Sequence, residues 1–96
     1  MLTQMPVAYY VKHPELPLEQ YEESMRRLEE AGLGGPRGRL YHFAFSVDGS
    51  VRILSIWDSP SSYDEFAKRL KQVAVDTGIT PIEPETFEVV NIVTGV

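Results

Sequence analysis

The chain has 96 residues, of which 43% are hydrophobic, and its 14 acidic against 9 basic residues leave a net charge of −5. That length suits one domain over residues 1–96, the composition is that of a folded chain, and the acidic balance without a Lys/Arg cluster argues against a nucleic-acid partner. Zero cysteines exclude disulfides, thiolate metal sites and thiol catalysis. No apolar run approaches a membrane span and the N-terminus lacks the pattern of a signal peptide, so a cytoplasmic chain with no membrane partner is expected.

Met5 to Val11 reads as a strand, rich in β-branched and aromatic residues, with Pro6 confined to its start and Pro14 and Pro17 closing it. Leu18 to Ala31 reads as a helix with Pro17 in its first turn. Leu18, Tyr21, Met25 and Leu28 form one apolar stripe. The opposite face is charged, with Glu22–Arg26 and Glu23–Arg27 at the favourable i,i+4 spacing, and reads as a solvated surface. Gly32 supplies the stop. Gly34-Gly35-Pro36 follows a helix and precedes a strand, the reverse of a phosphate-binding loop, and reads as a turn.

Gly38 to Val47 and Val51 to Asp58 form two strands around Asp48-Gly49, a strong signal for a two-residue hairpin turn. That turn pairs Val47 with Ser50, Phe45 with Arg52, Phe43 with Leu54 and Tyr41 with Ile56. The other face pairs Ala44 with Ile53, His42 with Ser55 and Leu40 with Trp57. Ser59 then caps a second helix with Pro60 at its first position. Its stripe is Tyr63, Phe66, Leu70 and Val73, and Gly78 ends it. Ile79 to Pro84 is a proline-marked turn, and Glu85 to Val93 a last strand.

The order β-α-β-β-α-β predicts an α+β, ferredoxin-like fold: a four-stranded antiparallel sheet with two right-handed crossover helices on one face. Both faces of the hairpin carry apolar residues, and so does the last strand: Phe87, Val89 and Val93 in one register, Val90 and Ile92 in the other. The sheet face without helices needs cover, and a second copy packed sheet to sheet as a homodimer provides it.

From Ile56 to Phe66 (IWDSPSSYDEF) the chain resembles the dimeric α/β-barrel superfamily, and within it small proteins of the antibiotic-biosynthesis-monooxygenase type. The resemblance lies in a tryptophan, a serine turn and an aromatic in the first helical turns, and the element order extends it over nearly the whole chain. It implies a dimeric barrel with a cleft between each sheet and its helices. The first-strand stretch Ala8-Tyr9-Tyr10 lacks the asparagine usual in the family's monooxygenases and heme degraders. Lys71 to Asp76 lacks the histidine that ligates heme iron in the degraders. No cofactor is therefore expected.

Of two histidines, His13 lies in a proline-bounded loop and reads as an exposed side chain. His42 lies mid-strand among Leu40, Ala44, Ile53 and Trp57. It is either a buried histidine satisfied by Ser55 or a general acid/base, since imidazole suits proton transfer near neutral pH. Nothing is spaced to ligate a metal. Tyr9, Tyr10, Trp57, Tyr63 and Phe66 are the candidate aromatic lining of a ligand cleft. The leading expectation is a dimer that binds a small, aromatic ligand. The alternatives are a cofactor-independent monooxygenase or isomerase, with His42 as acid/base on an aromatic or polyketide-like substrate, and a protein-interaction module.

Overall fold

A computed structural model describes residues 5–95. Its elements are β1 (Val7–Lys12), α1 (Leu18–Glu30), β2 (Arg39–Val47), β3 (Ser50–Trp57), α2 (Pro60–Asp76) and β4 (Glu85–Glu88). They build one sheet in the order β2-β3-β1-β4, antiparallel throughout, with β1 and β3 in the middle. This is the α+β, ferredoxin-like arrangement expected from the order of elements.

The two helices end in the same way. Past α1, the N–H groups of Gly32 and Leu33 bond back to the carbonyls of Glu29 and Leu28. Past α2, those of Gly78 and Ile79 bond back to Val75 and Ala74. Both are Schellman closures, which satisfy carbonyls that the helix leaves without partners. The starts differ. Ser59 caps α2 by accepting the N–H of Ser62 at 3.2 Å, with Pro60 next in line. Pro17 precedes α1 as an extended residue and makes no side-chain cap. On α1, Arg27 bridges Glu23 at 2.9 Å as the i,i+4 spacing predicts, but Arg26 pairs with Glu23 and Glu30 rather than Glu22.

Asp48 and Gly49 both take positive φ, and the hairpin follows the expected register from Val47↔Ser50 to Tyr41↔Ile56. It then departs. A bulge between Arg39 and Tyr41 sets Arg39, not Leu40, opposite Trp57, and Leu40 is left exposed. One extra residue on the bulged strand restores the face of the residue before it. Arg39 thereby reaches the helix side, where it donates to the carbonyl of Gly34 at 2.7 Å.

The last strand is shorter than its apolar pattern predicts. β4 stops at Glu88, opposite Val7, and only the N–H of Val89 continues the pairing, to the carbonyl of Pro6. Proline has no N–H to return, so the ladder ends where its partner does. Val90 and Val93 are each 83% exposed.

The core lies between the sheet and the helices. Tyr9, Leu28, Trp57 and Phe66 form its buried centre, with Val7, Met25, Leu33, Tyr63, Leu70 and Val73 packed around it. Trp57 is 1% exposed, and its indole N–H donates to Ser55 Oγ at 2.9 Å. Burying a large apolar side chain contributes about 1.5–3 kcal/mol. Leu18, expected on the buried stripe, is 60% exposed, and Ser24 is buried instead. The inward face of α1 is thus Ser24 and Leu28, buried, with Tyr21 and Met25 half-buried beside them.

Candidate functional site

A cavity of about 250 Å³ opens between the sheet, both helices and the segment joining α2 to β4. Its floor is Val11 of β1 and Ile53 of β3, cross-strand neighbours on the helix side. Tyr21 and Ser24 of α1 form one wall, and Tyr63, Ala67, Leu70 and Ala74 of α2 the other. Ile79 to Pro84 closes the end, and Asp64, Lys71 and Glu83 bring charges into the lining.

Local hydrogen bonds hold these elements in place. The turn before α1 is pinned to the start of β3: Leu16 N–H donates to Ser50 Oγ, Ser50 Oγ donates to the His13 carbonyl, and Val51 N–H donates to the Leu16 carbonyl, each at 2.8 Å. His13 ties down the closing segment. Its Nδ1 accepts the N–H of Glu15 at 3.2 Å, which leaves Nε2 to carry the proton and donate to the Thr80 carbonyl at 2.9 Å.

His42 stands on the helix side of β2, and its Nε2 lies 2.7 Å from the hydroxyl of Tyr21. Ser55 is opposite His42 in the ladder, but its hydroxyl accepts from Trp57, and the hydrogen-bond partner of this imidazole is Tyr21 of α1. Burial pushes the His42 pKa down, and the guanidinium of Arg39 pushes the same way. Burial also raises the Tyr21 phenol, while Arg39 acts to lower it. The pair is therefore neutral, beside a cation that the bulge has turned inward.

The aromatic residues expected at a cleft fall into three places. Tyr63 lines the cavity. Tyr9, Trp57 and Phe66 form the packed core behind it: Tyr9 stacks on Tyr63 at 3.7 Å, Trp57 meets Tyr63 edge-on at 5.5 Å, and Phe66 tilts against Trp57 at 5.2 Å. Burial is the main cause that pushes the Tyr63 hydroxyl up to about 12. Tyr10 is on the other side of the sheet, stacked near Phe45 and accepting from Arg52 at 3.1 Å. Adjacent strand residues point to opposite faces, so Tyr9 and Tyr10 do not share a site.

Sequence reasoning missed Tyr21, Ser24 and the Ile79–Pro84 segment. Tyr21 had a readable signal, since a tyrosine on a buried helical stripe needs a partner for its hydroxyl, and His42 was a polar residue in the facing sheet. The proline-marked segment carried no sign that it folds over a cavity.

Among the described residues, no group of three or more His, Asp or Glu side chains is placed to hold a metal ion, and no helix is long and apolar enough to cross a membrane. Compared with protein-family models, with curated proteins and with solved structures, the chain matches none.

Proposed function

We propose that this chain binds a small, largely apolar molecule in the cavity between sheet and helices, and does so as a homodimer packed through the open faces of its sheets. The carrying observation is the cavity itself: about 250 Å³, floored by Val11 and Ile53, walled by Leu70, Ala67 and Ala74, with Tyr21 and Tyr63 as its phenols. Concave, mostly apolar sites with a few placed polar groups are the usual form of a small-ligand site.

The dimer reading rests on the other face. Tyr41, Phe43, Phe45, Leu54, Ile56 and Phe87 stand on the side away from the helices, with Phe43 48% and Phe87 51% exposed. Charges lie toward one end, where Lys12 meets Glu85 at 3.5 Å. An apolar centre of this kind suits a second copy of the same surface about a twofold axis.

A thermal-shift screen of aromatic compounds tests the ligand reading. A ligand at tenfold its Kd stabilises the native state by about 1.4 kcal/mol, or roughly 6–11 °C for a domain of this size. Ala67→Trp, which fills the cavity from α2, should abolish the shift while leaving the circular dichroism unchanged. No shift across a broad panel overturns the reading.

The neutral Tyr21–His42 pair favours a second reading, a cofactor-independent monooxygenase or isomerase acting on an aromatic or polyketide-like substrate. His42 does not line the cavity, so any proton it exchanges with a substrate passes through Tyr21.

A further inference from the structure

Tyr21 belongs to two structures at once. It forms part of the cavity wall, and its hydroxyl is 2.7 Å from His42 Nε2. The two ring planes are inclined by only 13° to each other, with centroids 6.3 Å apart.

The direction of the bond decides what Tyr21 offers a ligand. A neutral imidazole has one accepting nitrogen and one donating nitrogen. A phenol is the stronger acid of the two partners, so the stable arrangement has Tyr21 O–H donating to Nε2. The proton is then turned toward the strand, and the lone pairs of the Tyr21 oxygen stay free. Donation raises the electron density on that oxygen, which makes it a better acceptor. The cationic Arg39 nearby favours the same build-up of negative charge. Ser24, the neighbouring polar residue of the wall, is buried and donates its hydroxyl to the Tyr21 carbonyl at 2.7 Å, so it too has only lone pairs to turn toward a ligand and no proton. The adjoining floor and wall are Val11, Ile53 and Leu70, which offer only apolar contact, and the charged lining residues Asp64, Lys71 and Glu83 are exposed to water.

We propose that Tyr21 Oη is a polar anchor on the α1 wall of the cavity and accepts a hydrogen bond from a phenolic or enolic hydroxyl on an otherwise apolar ligand. His42 is a positioning residue that holds the Tyr21 proton away from that ligand. The inference rests on the reading of the cavity as a ligand site and adds the class of ligand. An acidic hydroxyl is the strongest uncharged oxygen donor available to such a site, and an aromatic or conjugated body suits its walls.

Two matched probes test this with the full chain: 2-naphthol and its methyl ether, 2-methoxynaphthalene, titrated by calorimetry. They share a ring system, and only the first can donate. The wild-type protein should bind the naphthol roughly fivefold more tightly, the worth of one net hydrogen bond. Tyr21→Phe should lower the naphthol to the affinity of the ether and leave the ether where it was. His42→Phe should release the Tyr21 proton to the cavity, so the ether gains affinity and the preference narrows. A merely structural role for His42 does not predict a ligand that binds better. Equal affinities in the wild type overturn the proposal while the cavity reading stands. Binding of neither probe overturns both. A preference that survives in folded Tyr21→Phe also overturns it, and where that variant does not fold, the wild-type and His42→Phe ratios decide.

Discussion

The hydroxyl of Tyr21 and Nε2 of His42 are 2.7 Å apart and join an early turn of α1 to edge strand β2. The bond gives the imidazole its partner in a part of the protein where burial and Arg39 both act against the charged form. Its folded pKa therefore lies below the unfolded value of about 6.5. Once pH drops below that unfolded value, the unfolded chain binds a proton that the native chain resists. Stability present at pH 7.5 is then lost as pH falls through the unfolded value and on toward the folded one. Urea denaturation at pH 7.5, 6.5 and 5.5 should show a falling midpoint in the wild type. His42→Gln keeps a polar side chain but no longer titrates, so its midpoint should change less over this range. Equal slopes in the two proteins would mean that His42 does not carry the effect.

Ser55 shows how a single hydroxyl supports the core. It accepts the indole N–H of Trp57, a residue 1% exposed. Ser55→Ala leaves that donor without its acceptor and with little access to water. The expected loss is about 1–3 kcal/mol, the range for an unsatisfied buried group. Denaturation followed by the fluorescence of the chain's one tryptophan measures it directly. A change below about 0.5 kcal/mol would place the variant with ordinary surface substitutions and sink the argument.

The order of elements and most of the hairpin register were legible because they rest on local chemistry: Asp48-Gly49, Ser59-Pro60 and the glycines after each helix act on their own neighbours. Four features were not. The bulge at Leu40 leaves no mark in an alternating pattern, yet it exchanges Leu40 for Arg39 on the helix side. The end of β4 is set by Pro6 on another strand, not by the apolar run from Val89 onward. The pairing of His42 is made by Tyr21 of α1, distant in sequence, while Ser55, its neighbour in the ladder, accepts from Trp57. The cavity draws its walls from β1, β3, both helices and a loop, so no short motif announces it. Tyr9 and Tyr10, adjacent on β1, fall on opposite faces by the alternation of a strand, a separation the sequence did carry.

Two glycines of the loop before β2 should respond oppositely to alanine. Gly38 has φ +92, and a Cβ there would lie 2.4 Å from Ser62 Oγ and 2.8 Å from Asp58 Oδ1. The left-handed backbone and the crowding act together, so Gly38→Ala should cost about 1–3 kcal/mol. Gly35 has nothing within 4 Å of an added Cβ and no positive φ. Gly35→Ala should be neutral, or stabilising by up to about 1 kcal/mol through a less free unfolded chain. Thermal melts of both variants check the contrast, and the reverse order would show that the approach of Gly38 to α2 is not what places this loop.

The open sheet face gives the last prediction. Phe43 is 48% exposed, faces Leu54 across the ladder and lies against Tyr41 with ring centroids 6.1 Å apart. In a homodimer packed through this face, a charge at position 43 would be buried against apolar rings, which costs far more than one exposed hydrogen bond returns. Phe43→Lys should therefore shift the protein from a species of about 22 kDa, twice the 10.9 kDa chain, to the monomer. Native mass spectrometry at several concentrations reads this, and circular dichroism checks that the variant stays folded. The same substitution on a monomer would leave the mass unchanged and raise solubility. A wild-type protein that is already monomeric at high concentration would end the dimer reading and leave the ligand cavity, on the other side of the sheet, to be judged by its own titrations.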